Sequence, residues 1–133
     1  MNIIIYTNET GNVSVTVPTG EISIEEVLAK DCPNNAIIVD SSELPEEHHD
    51  FFNAWELVEG KVIVNLEKAK LITKDRLRVE RIPLMLVQDI AYSRATETGA
   101  DTSAIVAEKN RLRDVTSLVD TIATLEELKA LTP

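Results

Sequence analysis

The order of apolar and polar positions changes its period once along the chain. Up to about Asn65 apolar residues come in short runs or alternate singly, and from Leu66 they recur every three, four and seven residues. Alternation suits a strand, whose successive side chains point to opposite faces; the longer spacing suits a helix. NIIIYTN (Asn2 to Asn8) is β-rich, and NVSVTV (Asn12 to Val17) alternates Val with Ser and Thr. The turn residues NETGN lie between them, which predicts an antiparallel hairpin with Val13, Val15 and Val17 on its covered face. In GEISIEEVLAKDCP, Ser23 is placed to cap a first helical turn and Glu26 to return the bond, with Ile22 and Val27 as a hydrophobic staple. A short helix from Ile24 to Lys30 is the expectation. AIIVD (Ala36 to Asp40) is continuous enough in apolar residues to predict a strand central in its sheet. SSELPEEHHD reads as an acidic, solvated loop. FNAWELV and KVIVN flank Glu59 and Gly60, so a second hairpin is predicted, with glycine supplying the positive φ of a tight turn. Trp55 is expected across the sheet, against the short helix or the start of the long one, as core or as a partner-facing residue.

From Leu66 onward two heptad series run together: Ile72, Val79 and Leu86 in one, Leu77, Leu84 and Ala91 in the other, with Ile82, Met85 and Ile90 in the gaps. The pattern predicts a long amphipathic helix with a seam wide enough for a partner helix, Ile72, Val79 and Leu86 being covered by the second helix or by another chain. Pro83 interrupts it. Proline removes one hydrogen bond and crowds the preceding turn, so a kink or a two-helix junction near Ile82 is expected. Gly99 is the natural stop, Asp101 or Thr102 caps the next helix, and Ile105, Leu112 and Val115 share one face of the stretch Thr102 to Thr116. Two helices joined by so short a loop pack antiparallel. ATLEELKAL repeats the capping box with Thr124 and Glu127 and predicts a terminal helical turn or two.

The fold class that follows is α+β. A small antiparallel or mixed β-sheet domain with one short helix (residues 1–65) precedes an α-helical hairpin (residues 66–133) whose long first helix is kinked at Pro83. Charge divides at the same place. Residues 1–65 hold 12 acidic side chains against the two basic residues Lys30 and Lys61, whereas residues 66–133 hold 11 of each sign, for a total of −10. The acidic half is unsuited to nucleic acid, since binding phosphates needs Lys and Arg in number. Apolar runs are far shorter than the roughly 20 residues of a membrane span, and no basic leader precedes one, so neither a membrane protein nor a secretory leader is expected. With Cys32 alone no internal disulfide can form, and an intracellular origin is the default.

Candidate chemistry is sparse. His48 and His49 stand among Glu46, Glu47 and Asp50, but neighbouring side chains diverge and no HExxH or CxxC spacing supports a metal; a solvated loop is the reading. Lys68, Lys70, Lys74, Arg76, Arg78 and Arg81 form a basic stripe. Asp75 is spaced to meet Arg78 and Glu80 to meet Arg76, and stacking aromatics are absent, so this predicts a salt-bridged face, or one that docks on the acidic half, rather than a nucleic-acid helix. Cys32, beside Pro33 and far from histidine, reads as an inert thiol. No glycine-rich phosphate loop and no catalytic constellation is visible. The expectation is a non-enzymatic protein with no catalytic, cofactor-binding or metal-binding residues, no cofactor and no small-molecule substrate. Its partner-binding residues would be Ile72, Val79, Leu86, Arg76, Arg78 and Trp55.

Three stretches carry a resemblance: ISIEEVLAKDCPNNAIIVDSSELPEE followed by FFNAWEL; VNLEKAKLITKDRLRVERIPLMLVQDIAYSRATETGAD; and VAEKNRLRDVTSLVDTIATLEELKAL. In the last two a spaced Lys and Arg series, an apolar run, LRDV and EELK follow in order. The chain from about Ile22 to Leu131 resembles bacteriophage tail or tail-fibre assembly proteins, the tail assembly chaperones. It departs from the shorter members in having QDIAYSR where DWT often stands. The resemblance implies a role in building, or remaining within, a phage tail or its fibres. It further implies tail or fibre structural proteins as partners, with a homo-oligomer also open, and a place in the cytoplasm of an infected bacterium or in the virion tail. A permanent adaptor or fibre-attachment subunit is one alternative, and a small regulatory protein another.

Overall fold

The computed structural model describes Met1–Pro133, and the chain divides into two compact units, Met1–Ala69 and Lys70–Pro133. The architecture is α+β.

The first unit begins with β1 (Asn2–Thr7) and β2 (Val13–Thr16), which pair antiparallel with Ile5 opposite Val15. Asn8 builds the turn: its Oδ1 accepts bonds from the backbone N–H groups of Thr10 and Asn12. Next comes α1 (Ile24–Asp31), where Ser23 Oγ accepts from the N–H of Glu26 at 3.2 Å, as the capping pattern predicts. β3 (Ile37–Asp40) then pairs antiparallel with β1, giving the strand order β2–β1–β3. The central strand is therefore β1, and β3, expected in the middle, lies at an edge. Ile3, Ile4 and Ile5 are all buried to 1% exposure or less, whereas every residue of β3 is only half-buried. Two continuous apolar runs compete for the centre, and the one buried on both faces takes it. Val17 falls beyond the end of β2 and is 54% exposed rather than covered.

The acidic segment expected as a loop is in fact two stretches of 3₁₀ turn, Ser41–Glu43 and Glu46–Ala54. Asp40 Oδ1 accepts from the Ser42 N–H and starts the first, and Phe51 and Ala54 are buried in the second. β4 (Trp55–Val58) and β5 (Lys61–Val64) form a separate two-stranded sheet with Val58 opposite Lys61. Their turn has positive φ at both Glu59 (51°) and Gly60 (79°), the signature of a type I′ hairpin. The core of the unit lies between the two sheets. Trp55, 2% exposed, joins Ile3, Ile5 and Val13, with Val39, Leu57 and Val64 packed around them. Its partners are thus strands and the Phe52 ring at 5.0 Å, not the short or the long helix. The indole Nε1–H donates to the backbone oxygen of His48 at 3.2 Å.

The hairpin passes into the long helix α2 (Leu66–Thr98) through Asn65. The side-chain Oδ1 of Asn65 accepts from the N–H of Lys68, and its Nδ2 donates to Glu56 on β4. Its own N–H donates to the Ala54 carbonyl. Lys68 Nζ closes the arrangement on Glu56 at 2.8 Å. Hydrogen bonding to Lys68 first, and to Asn65 second, holds the Glu56 carboxyl below the usual range. One asparagine ends the strand, caps the helix and ties the two together.

α2 runs for 33 residues, about 50 Å at 1.5 Å per residue, and passes through Pro83 without a break. The expected junction near Ile82 is absent. The carbonyl that Pro83 leaves without its helical donor is that of Val79, four residues earlier. Val79 and Pro83 both lie on an exposed face, where water can serve that carbonyl. Gly99 (φ 70°) stops the helix: its N–H donates to Thr96 O and that of Ala100 to Ala95 O, the paired bonds of a Schellman motif. α3 (Ser103–Leu118) begins after Asp101, whose carboxylate accepts both the N–H and the hydroxyl of Ser103, while Thr102 makes no side-chain cap. A 3₁₀ turn, Val119–Thr121, leads to α4 (Leu125–Ala130), capped by Thr124 Oγ1 on the Glu127 N–H.

Candidate functional site

In the second unit α2 and α3 run antiparallel, and polar ties from α2 to α3 and to the 3₁₀ turn that follows it fix the register. Lys74 Nζ meets Asp120 at 2.8 Å and holds that carboxyl below its usual range, Lys109 Nζ meets Asp89 at 2.7 Å, and Arg81 Nη1 donates to the carbonyls of Leu112 and Arg113. Lys109 also lies 5.2 Å from the centre of the Tyr92 ring. Arg76 reaches α4, donating from Nη2 to the carbonyls of Leu128 and Leu131 while Nη1 pairs with Glu80. Arg78 pairs with Asp75 at 2.7 Å. Both within-helix pairs match the spacing read from sequence. Lys74, Arg76 and Arg81 also reach α3, α4 and their connection, while Lys68 belongs to the first unit and pairs with Glu56 inside it. Arg76 is therefore a clamp inside its own unit rather than a free partner-binding group.

The buried residues of this unit are Thr73 and Leu77 on α2, Leu112 and Val115 on α3, Val119, and Leu128 on α4. Farther along α2, Met85, Gln88, Ala91 and Ala95 are half-buried on the side of Leu77. The inward seam thus follows the series of Leu77 and Ala91, and the other series turns away from it. Val79 is 67% exposed, Leu86 58%, and Ile72 only half-buried. Of the two covers expected for Ile72, Val79 and Leu86, the second helix does not provide one for Val79 and Leu86; another chain is the alternative left. Polar reach goes with the inward side: Lys74 and Arg81 lie on it and meet Asp120 and the carbonyls of Leu112 and Arg113.

The outward stripe is the most conspicuous surface of the molecule. At 100° per residue Val79, Ile82, Pro83, Leu86, Val87 and Ile90 occupy one side of α2, opposite Leu77, and Leu71 and Ile72 extend it towards the helix start. Ile82 is 63% exposed, Val87 60%, Leu71 61% and Ile90 45%. Between Val79 and Ile90 the inward side is mixed, with Arg81, Leu84, Met85 and Gln88, whereas the outward side is apolar throughout and faces solvent. Single exposed aliphatics are ordinary, whereas here six apolar residues adjoin on one helix face.

Nothing comparable gathers elsewhere. Trp55, being buried, is not available to a partner. His49 stacks edge-on to Trp55 at 6.3 Å, and the half-buried His48 has its Nε2 4.0 Å from Glu47. No group of three or more His, Cys, Asp or Glu side chains is placed to hold a metal ion. Two open depressions lie in the first unit. One of about 320 Å³ sits beside the end of β2 and α1, with Glu21 and Asp31 among its lining, and one of about 430 Å³ sits beside β5, with Glu43 and Lys61. Neither lining contains a histidine, cysteine or serine. No helix is long and apolar enough to cross a membrane. The sequence pattern named Ile72, Val79 and Leu86 for the partner surface and set Ile82 and Ile90 in the gaps of the same seam, but it left out Val87 and put Met85 in the seam, which instead lies on the inward side. The spacing of three and four residues from Val79 was the signal. Comparisons with known protein families, with curated proteins and with solved structures found no match for the chain.

Proposed function

We propose that the chain is a non-enzymatic bacteriophage tail-associated protein that acts in tail or tail-fibre assembly by binding a structural subunit through the outer side of α2. The observation that carries the binding role is the uncovered row Val79, Ile82, Leu86, Val87 and Ile90 on a helix whose opposite side is already packed. The assignment to a phage tail rests on the resemblance of the three stretches ending in EELKAL. The polar ties of Lys74, Arg76 and Arg81 hold the helical unit together from the inside, which leaves the outer side rigidly presented and free of structural duty.

The extent of apolar exposure favours a second reading, a permanent adaptor or fibre-attachment subunit, because such a row is best shielded for the lifetime of a particle. Both readings are tested by tagged wild-type protein and Leu86→Asp used as bait in infected-cell lysate, alongside mass spectrometry of purified virions. The assembly reading expects a tail or fibre protein retained by wild type and lost with Leu86→Asp, and little of the chain in virions. Stoichiometric presence in virions selects the permanent subunit. Retention of no tail protein, together with absence from particles and assembly intermediates, removes both.

A further inference from the structure

The outer row of α2 has a symmetry that names one occupant. Val79, Ile82, Pro83, Leu86, Val87 and Ile90 are spaced evenly about a midpoint between Leu84 and Met85. Turning a second α2 end for end about that point places Val79 opposite Ile90, Ile82 opposite Val87, and Pro83 opposite Leu86, apolar against apolar throughout. At the two ends of the row the same operation brings Asp75, which also pairs with Arg78 of its own helix, level with Arg94 of the other copy. A two-fold interface requires this of a surface: each residue must suit the one that symmetry sets against it.

Area agrees. Five of these side chains are 45% to 67% exposed, and at roughly 100 Å² each they present about 500 Å² of apolar surface. A dimer interface of about 800 Å² per copy, roughly 65% apolar, calls for about 520 Å². Charge agrees as well. Residues 70–133 contain ten basic and ten acidic side chains, so the helical unit is neutral and the whole −10 of the chain resides in residues 1–69. Two neutral units meet without net repulsion, whereas a strongly basic or acidic partner would find no matching field on this side.

Building on the reading of this side as a binding surface, we infer that in the free protein the outer side of α2 is closed by a second copy of the chain, antiparallel to the first across the row from Val79 to Ile90. The test uses the full chain in analytical ultracentrifugation over a broad concentration range, with circular dichroism to verify folding. Wild type is expected to be a dimer, and Leu86→Asp, whose site is exposed in the monomer, a folded monomer. Asp75→Arg and Arg94→Asp are each expected to weaken the dimer about tenfold, and the two together to restore it, since the swap re-forms the end pairs with opposite polarity. A wild-type chain that stays monomeric overturns the inference, as does a dimer that Leu86→Asp leaves intact or a charge swap that does not restore association. A monomer that still retains a tail protein through Leu86 overturns the second copy but leaves the proposed function standing. A dimer that retains no tail protein does the reverse.

Discussion

Glu59 is the one residue other than glycine with positive φ. It stands at the first central position of the β4–β5 turn, where a left-handed backbone crowds any side chain with a Cβ. Glu59→Asn keeps a polar side chain and tolerates that conformation better. It is expected to stabilise the protein by about 0.5–1 kcal/mol in urea unfolding. A loss of stability would show that Glu59 contributes a contact of its own. Glu56 makes a second prediction. Its carboxyl titrates below the ordinary value of 4.5 because Lys68 and Asn65 bond its charged form. A carboxyl lowered in the folded state adds stability above its unfolded pKa and loses it as pH falls through the lower folded value. The melting temperature should thus decline as pH is taken from about 5 towards 3, and Glu56→Gln should flatten that decline while lowering stability at neutral pH. An unchanged acid slope would place the titration elsewhere.

At the level of the element, α2 makes opposite demands of two leucines nine positions apart. Leu77 is fully buried, and Leu86 is 58% exposed. Leu77→Ala removes packed methyl groups and should cost about 2–5 kcal/mol, with cooperative unfolding at a lower urea midpoint. Leu86→Ala should change the stability of the isolated fold by no more than about 0.5 kcal/mol. Equal effects would mean that the two sides are alike. Pro83 belongs to the same argument. Because the helix continues through it, Pro83→Ala restores a bond from residue 83 to the Val79 carbonyl and is expected to stabilise by about 1–3 kcal/mol. Destabilisation would indicate that the helix depends on the proline where it stands.

For the molecule as a whole, the separation of charge sets how association responds to salt. Every copy carries its −10 in the first unit and none in the second, so bringing copies together concentrates like charge although the touching surfaces are neutral. Screening shortens from about 10 Å at 0.1 M salt to about 3 Å at 1 M and relieves that repulsion. Salting-out anions also strengthen apolar burial. The dimer should tighten between about 0.1 and 1 M sodium chloride, and more so in sulfate, as read by sedimentation equilibrium. Weakening with salt would assign the interface to ion pairs rather than to the row of aliphatics.

Local chemistry was legible in the sequence wherever it involved neighbours along the chain. The caps at Ser23 and Thr124, the turn at Gly60, the stop at Gly99 and the pairs Arg76–Glu80 and Arg78–Asp75 depend on residues one to five positions apart, and spacing alone fixes which atoms meet. The change of period at Leu66 likewise determined an α+β chain with helices in its second half. Tertiary structure decided whatever required a choice between equivalent surfaces. AIIVD was expected at the centre of its sheet, but the strand buried on both faces is β1, with Ile3, Ile4 and Ile5, and it takes that place. Trp55 could pack on a helix or on strands, and closure of the two sheets took it. Both heptad series of α2 were apolar, so periodicity could not say which one α3 would cover; the reach of Lys74, Arg76 and Arg81 to α3, α4 and their connection goes with the side of Leu77. The row from Val79 to Ile90 is the remainder of that choice. Hydrophobic spacing reports that a side must be buried, and the packed structure reports which side still is not.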